Sequence, residues 1–460
     1  MKQLKPITVR GVQGLWGSHL PFVWGAAGSA ISLINLWRFP HIVGDHGGGA
    51  FVLLYLLCVF ALAIPIMLAE IVIGRRARMN PVYAIREIAR VAGVSPIWGR
   101  LGWLVILASV MILPIYSVIG GWALEYMQLN AEGRFYNISE VTSHSIFSSF
   151  MQDPGAMLKW HSAIILITVV LVASGVKGLA WVLKIMVPAM FIVMSVLMIK
   201  VLALGSNSMA VQWLFELRWQ QMGWDSLLLA LGHGFLTLGI GLGAVMAYAA
   251  YLPADTPMGR LALKVGGLDL IIAVMASMVI LPLVFYGGMQ PVSGPTLLFV
   301  SLPVVFGNMA NGSDLALLFY LAVALVAISS TVPLLEPLVA YFVESKRWSR
   351  LKATIIAGAA VWVLGLAVLF SFNRWQQLKP WLGMTVFELL DYLTANFMMP
   401  LTGLLMAVLV AWLLPLDSAR LGFAQQSQYR FKAWMMLLKY LAPLLVIIIF
   451  IVPAVQRLMA

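Results

Sequence analysis

Apolar stretches long enough to cross about 30 Å of hydrocarbon as helices recur along this 460-residue chain, and that repetition constrains its fold more than any motif. A segment inside a bilayer must satisfy every backbone N–H and C=O internally, so only helices or a closed barrel can cross. Period-two alternation is missing, which rejects the barrel. Hydrophobic residues make up 62% of the positions and charged residues 10%, outside what a soluble domain of this length shows. The reading is an all-α membrane protein of about eleven transmembrane helices. Spans are expected near 17–44, 49–73, 98–128, 160–175, 179–203, 224–251, 262–288, 314–343, 352–371, 385–415 and 433–455.

The formal net charge of +12 would suit nucleic acid or acidic partners if it were gathered on a soluble surface. It is instead sorted by side. With a cytoplasmic N-terminus, 21 of the 29 Lys and Arg residues fall inside, 7 fall outside, and Arg38 lies within a span. The connection after span 2 holds Arg75, Arg76, Arg78, Arg86, Arg90 and Arg100. The charge is therefore a positive-inside topology signal, nucleic acid is not needed, and eleven spans put the C-terminus outside.

Lys2, Lys5 and Arg10 precede an apolar stretch, but no small-residue cleavage site follows, so no signal peptide is expected. The one cysteine, Cys58, has no partner for a disulfide within the chain. The longest polar connections, near 129–159 and 204–223, are too short for an independent core, so residues 1–460 read as one membrane domain.

Two spans are unlike the rest. Span 1 contains WGAAGSAISLINLWRFPH and span 6 contains LGHGFLTLGIGLGAVMAY, each with small and polar residues at mid-membrane depth. Small residues also serve close helix packing, but packing wants them four apart on one face, whereas GIGLG places them two apart, around the helix. Unwinding fits better. Broken helices free backbone groups that are tolerated where they line a cavity. The two breaks lie five spans apart, the spacing expected of two inverted repeats, 16–203 and 224–415, with a site at their interface and an additional span at 433–455.

At NLWRFP, GGGAF, IPIMLAEIVIGR and FLTLGIGLGAVMAYAAYLP the sequence resembles the neurotransmitter:sodium symporter family, built on the bacterial leucine-transporter fold. The likeness runs from Trp16 to about Pro453. It implies a sodium-coupled importer of an amino acid working by alternating access, in a bacterial inner (cytoplasmic) membrane, and no enzyme. One implied sodium site uses the carbonyls of Gly28, Ile31 and Val326 with the hydroxyls of Ser329 and Ser330. The other uses the Ala30 carbonyl, Asn35, Thr237 and Asp269. Hard cations favour such oxygen ligands. Tyr116 and the free N–H groups near Leu33 and Ile34 would take the substrate carboxylate. Ser29, Ala30, Ile112, Leu236, Gly239, Leu242, Ser330 and Leu334 complete the implied substrate site. Arg38 and Asp391 match a charged gate above it, and Glu70 matches a carboxylate that braces the unwound segments. Gly178 and Pro188 match a stretch of span 5 that unwinds to release sodium, with a static kink as the alternative.

The chain departs from the family pattern at informative places. Ser32 and Ile34 replace two glycines of the span 1 break, and the amine transporters' Asp is absent at Ser32, which disfavours a monoamine. Leu236 and Leu242 replace aromatic residues and Gly239 removes a side chain, so a roomier pocket for a large apolar or aromatic amino acid is expected. Gln13 stands where a latch arginine is usual, with Arg10 a substitute and Glu344 its acidic partner. His233 and Glu336 replace amides, which keeps proton coupling open. Asp269 lies one turn before Ala273, where chloride-using relatives have a chloride-holding serine, so chloride is not expected. The competing reading is an amino-acid-binding sensor or leak protein without coupled uptake. The partners expected are the substrate and the lipid bilayer; the sequence sets no oligomeric state.

Overall fold

The computed structural model describes residues 14–205, 207–253, 256–420 and 428–459. Among them the chain is helical, with two isolated bridges, Gly48–Leu217 and Trp381–Met384, and no strand. Among the described residues nine continuous helices are long and apolar enough to cross a membrane. They are spans 2 (Gly49–Ala77), 3 (Pro96–Ala131), 4 (Pro154–Ala173), 5 (Gly175–Leu202), 7 (Met258–Tyr286), 8 (Gly312–Lys346), 9 (Arg350–Phe370), 10 (Val386–Leu413) and 11 (Gln428–Val452). Span 1 is a pair, Leu20–Ala30 and Ile34–Asp45, bent by 55°. Span 6 is also a pair, Trp224–Thr237 and Ala244–Ala249. With the bent pair counted as one span the described residues give ten, and the short, interrupted helices of span 6 account for the difference from the expected eleven.

The breaks have separate local causes. Span 1 leaves the helix at Ile31, whose backbone is extended (φ −67°, ψ 101°), and restarts beyond Leu33. In span 6, Gly239, Gly241 and Gly243 take φ of 60°, 87° and 73°. Left-handed backbone is accessible to glycine at no steric cost, so the alternate glycines of GIGLG are the unwinding.

Spans 3 and 8 pack along much of their length and are largely enclosed, whereas spans 4, 5 and 11 leave most of their surface outward. The connections carry further helices, including Pro81–Val91, Glu140–Gln152, Asn207–Phe215 and the short apolar Leu297–Gly307. Asn80 caps the first of these, accepting from the backbone N–H of Val82 and Tyr83 ahead of a proline at the first helical position. Span 5 runs unbroken through Gly178 and Pro188, so no unwound stretch is present there. Gln13 and Arg10 lie outside the described residues; Glu344 accepts from Asn80 N at 2.7 Å and Nδ2 at 2.8 Å.

Candidate functional site

Between the two breaks and spans 3, 8 and 10 lies a cavity of about 260 Å³. Ser29, Leu33 and Ile34 reach it from span 1, Ile112 and Tyr116 from span 3, Leu236, Gly239 and Leu242 from span 6, and Ser330 and Leu334 from span 8. Ala30 does not line it and is buried in the last turn before the break. Gly239 has a role beyond leaving space. Besides its positive φ, a Cβ there would stand 3.2 Å from both the carbonyl and the hydroxyl oxygen of Ser29, so the two broken strands of chain touch at this point.

The walls are mostly aliphatic, with Trp37, Tyr116 and Phe387 as their aromatic members, and the polar atoms are few. The Ser29 hydroxyl is buried without a hydrogen-bond partner, and Ser32 in the break faces the Tyr116 hydroxyl. Arg38 and Asp391 face one end of the cavity without forming a direct ion pair. Span 10 adds Phe387, Ala395 and Met399, which sequence reasoning missed because nothing distinguishes them in an apolar helix.

Two oxygen clusters flank the cavity. In the first, Ser330 Oγ lies 3.1 Å from the Ile31 and Val326 carbonyls and 3.4 Å from that of Gly28. Ser329 Oγ lies 2.9 Å from the Val326 carbonyl and 3.4 Å from that of Gly28. Two hydroxyl protons serve three carbonyls, an oxygen-rich arrangement suited to a hard cation. In the second, Thr237 Oγ1 lies 2.7 Å from both Asn35 Oδ1 and Asp269 Oδ1, with one proton to give. Asn35 Nδ2 donates to Asp269 Oδ1 at 2.7 Å and the Tyr55 hydroxyl to Asp269 Oδ2 at 3.0 Å. Asn35, Thr237 and Asp269 are fully enclosed. His233 sits one turn before Thr237, stacked on Phe39 with ring centroids 5.4 Å apart.

The span 6 break is held from both sides. Glu70 Oε1 accepts from Gly241 N at 2.5 Å, and Thr402 Oγ1 lies 3.0 Å from the Gly241 carbonyl and 2.9 Å from the Met398 and Met399 carbonyls of its own helix, with one proton among the three. A threonine in span 10 gave no sequence signal for this.

A further network, which does not line the cavity, joins Trp16 to spans 5, 6 and 8. The Trp16 indole donates to the Val176 carbonyl at 2.9 Å and packs 5.5 Å from the rings of Tyr248 and Tyr251. The Tyr251 hydroxyl donates to Glu336 at 2.5 Å, and Arg350 meets both oxygens of Glu336, at 2.9 and 2.5 Å. Glu336 is therefore paired inside the protein, as a buried charge must be.

The family model described as the sodium:neurotransmitter symporter family matches residues 13–135 and 130–459. The chain is 31% identical over 456 residues to the uncharacterized sodium-dependent transporter YhdH of Bacillus subtilis (strain 168), covering 98% of each. It is 25% identical over 307 residues to the sodium-dependent neutral amino acid transporter B(0)AT2 of Bos taurus, covering 59% of this chain and 41% of that protein. Its structure matches that of MhsT in complex with L-phenylalanine with a TM-score of 0.85 at 32% identity, covering 95% of this chain and 99% of the other. With broken spans 1 and 6 around a central cavity, the chain belongs to the sodium:neurotransmitter symporter family, multi-pass membrane proteins that are sodium-dependent transporters rather than enzymes.

Proposed function

We propose that the protein imports a zwitterionic amino acid, large and apolar or aromatic, by coupling its entry to sodium. The observation that carries this reading is the aliphatic cavity placed between two oxygen-rich clusters at the paired helix breaks. Freed N–H groups at the restart of span 1 carry the positive end of a helix and suit a carboxylate, with the Tyr116 hydroxyl as a further donor. Carbonyls freed in spans 1 and 6 suit the ammonium group. The aliphatic walls suit an apolar side chain. A bound L-phenylalanine in MhsT and the neutral amino acids of B(0)AT2 support the same class.

In this reading one sodium lies among Gly28, Ile31, Val326, Ser329 and Ser330, and a second among Ala30, Asn35, Thr237 and Asp269. The fixed carboxylate of Asp269 supplies the negative charge that two sodium ions and a zwitterion require, so transport runs without chloride. Spans 1–5 and 6–10 act as the two repeats. The arginine-rich 74–97 connection faces the cytoplasm of a bacterial cell, with the Trp16 network as the closed inner end and Arg38 with Asp391 at the outer end. Amino-acid binding by thermal shift, with sodium or choline, tests the reading: phenylalanine, tryptophan or leucine should stabilise the protein only with sodium. Stabilisation by glycine alone, or equally in choline, overturns it.

A further inference from the structure

A second cavity, of about 360 Å³, opens where spans 10 and 11 meet, and its lining shares no residue with the substrate cavity. Arg420, Lys432 and Lys439 line it, opposed by a single carboxylate, Asp417. Among the described residues none of these four is in an ion pair. The intervening sequence LGFAQQS, residues 421–427, contains no acidic residue to answer the cations. The cavity thus carries two uncompensated positive charges beside an apolar floor that includes Met435 and Met436.

The backbone here is built for this position of Lys439. Span 10 ends in a π-helical turn, Leu409–Leu413, and span 11 contains another, Leu437–Leu441, the two lying against each other. Such turns occur often at functional sites. Trp412, in the first, donates its indole N–H to the Lys439 carbonyl, in the second, at 3.1 Å. The Lys439 ammonium lies 4.9 Å from the Trp412 ring centroid and 5.6 Å from that of Tyr440. Both rings are more than half exposed, as aromatic residues at the hydrocarbon boundary commonly are. Lys432 lies two turns earlier on the same face of span 11. By the alternation of spans, this connection emerges on the same side as the arginine-rich connection after span 2.

We propose that this cavity binds the headgroup of an anionic phospholipid. The phosphodiester contacts Lys439, Lys432 and Arg420, with the glycerol part of the lipid against Met435 and Met436 between the two lysines. Anionic lipid is favoured over zwitterionic lipid because a choline or ethanolamine head brings a cation into a site already positive. The lipid fastens span 11, which shares little buried surface with the rest of the bundle.

The test is native mass spectrometry of the purified full-length protein, titrated with phosphatidylglycerol or with phosphatidylcholine of the same acyl chains, and with glycerol phosphate or inorganic phosphate as competitor. Wild type should retain phosphatidylglycerol over phosphatidylcholine. Lys432→Gln and Lys439→Gln should each lower phosphatidylglycerol retention about fivefold, from roughly 1 kcal/mol per surface cation. Lys439→Arg should keep it, and the melting temperature of the Gln variants in phosphatidylcholine should match wild type. Equal retention of the two lipids by wild type, unchanged retention in both Gln variants, or displacement by millimolar inorganic phosphate overturns the proposal. The readout needs neither sodium nor amino acid, so its failure is separate from any failure of the transport reading.

Discussion

Asn35 and Asp269, 234 residues apart in the chain, are joined by a 2.7 Å hydrogen bond from Nδ2 to Oδ1. This bond ties the restart of span 1 to the middle of span 7, and Thr237 brings in span 6 at the same oxygen. Spans 1, 6 and 7 thus converge on one carboxylate.

The proposed chloride independence rests on that carboxylate. Replacing chloride by gluconate should leave wild-type uptake intact. Asp269→Asn together with Ala273→Ser removes the fixed charge and supplies a hydroxyl one turn later, so uptake by this double variant should rise with chloride. Wild-type uptake that stops without chloride, at constant sodium and membrane potential, would contradict the assignment.

Ser329→Ala with Ser330→Ala removes two oxygens from the first cluster while leaving the span 8 backbone in place. Sodium affinity should fall roughly tenfold or more, about 1.4 kcal/mol, measured as the sodium concentration for half-maximal amino-acid binding. The melting temperature without sodium should move little. A large loss of stability with unchanged sodium dependence would make the pair structural.

Tyr116→Phe deletes a cavity-lining hydroxyl that the proposed reading assigns to the substrate carboxylate. A hydrogen bond to a charged group is worth about 1.5–3 kcal/mol, so amino-acid affinity should weaken by roughly 10- to 150-fold. Unchanged affinity in an equilibrium binding assay would remove Tyr116 from the carboxylate site.

The span 6 break was legible in the sequence because glycines two apart around a helix axis have no packing rationale, and each takes a positive φ. The span 1 break was legible from Ser and Asn at mid-depth. Span 10 was not: Thr402, Met399 and Phe387 occupy an ordinary apolar helix, and only the three-dimensional arrangement brings them to the cavity and to Gly241. The helix over Asn207–Phe215 was hidden in a polar connection. The Gly178 and Pro188 pattern was visible but does not break span 5, since Pro188 costs one hydrogen bond and the surrounding residues are good helix formers in apolar surroundings. Glu344, expected as a latch partner, accepts from Asn80, while Gln13 and Arg10 lie outside the described residues.

Gly241 tests the bracing of the break. At φ 87° a Cβ would lie 2.3 Å from Thr402 Oγ1 and 2.6 Å from the Met399 carbonyl. Gly241→Ala should lower stability by more than about 2 kcal/mol, from backbone strain plus the clash, read as a drop in melting temperature. Thr402→Val removes one hydrogen bond and should cost about 1 kcal/mol. A neutral Gly241→Ala would show that the break tolerates another geometry.

The central claim is that sodium drives amino-acid accumulation through the cavity between the two breaks. The direct measurement is uptake of radiolabelled phenylalanine, leucine and tryptophan by proteoliposomes containing the purified protein, with an inward sodium gradient or an equal choline gradient. The account predicts transient accumulation of at least one of them above the external concentration in sodium and simple equilibration or no uptake in choline. Equal uptake in the two buffers, or binding without accumulation for every amino acid tried, would contradict it.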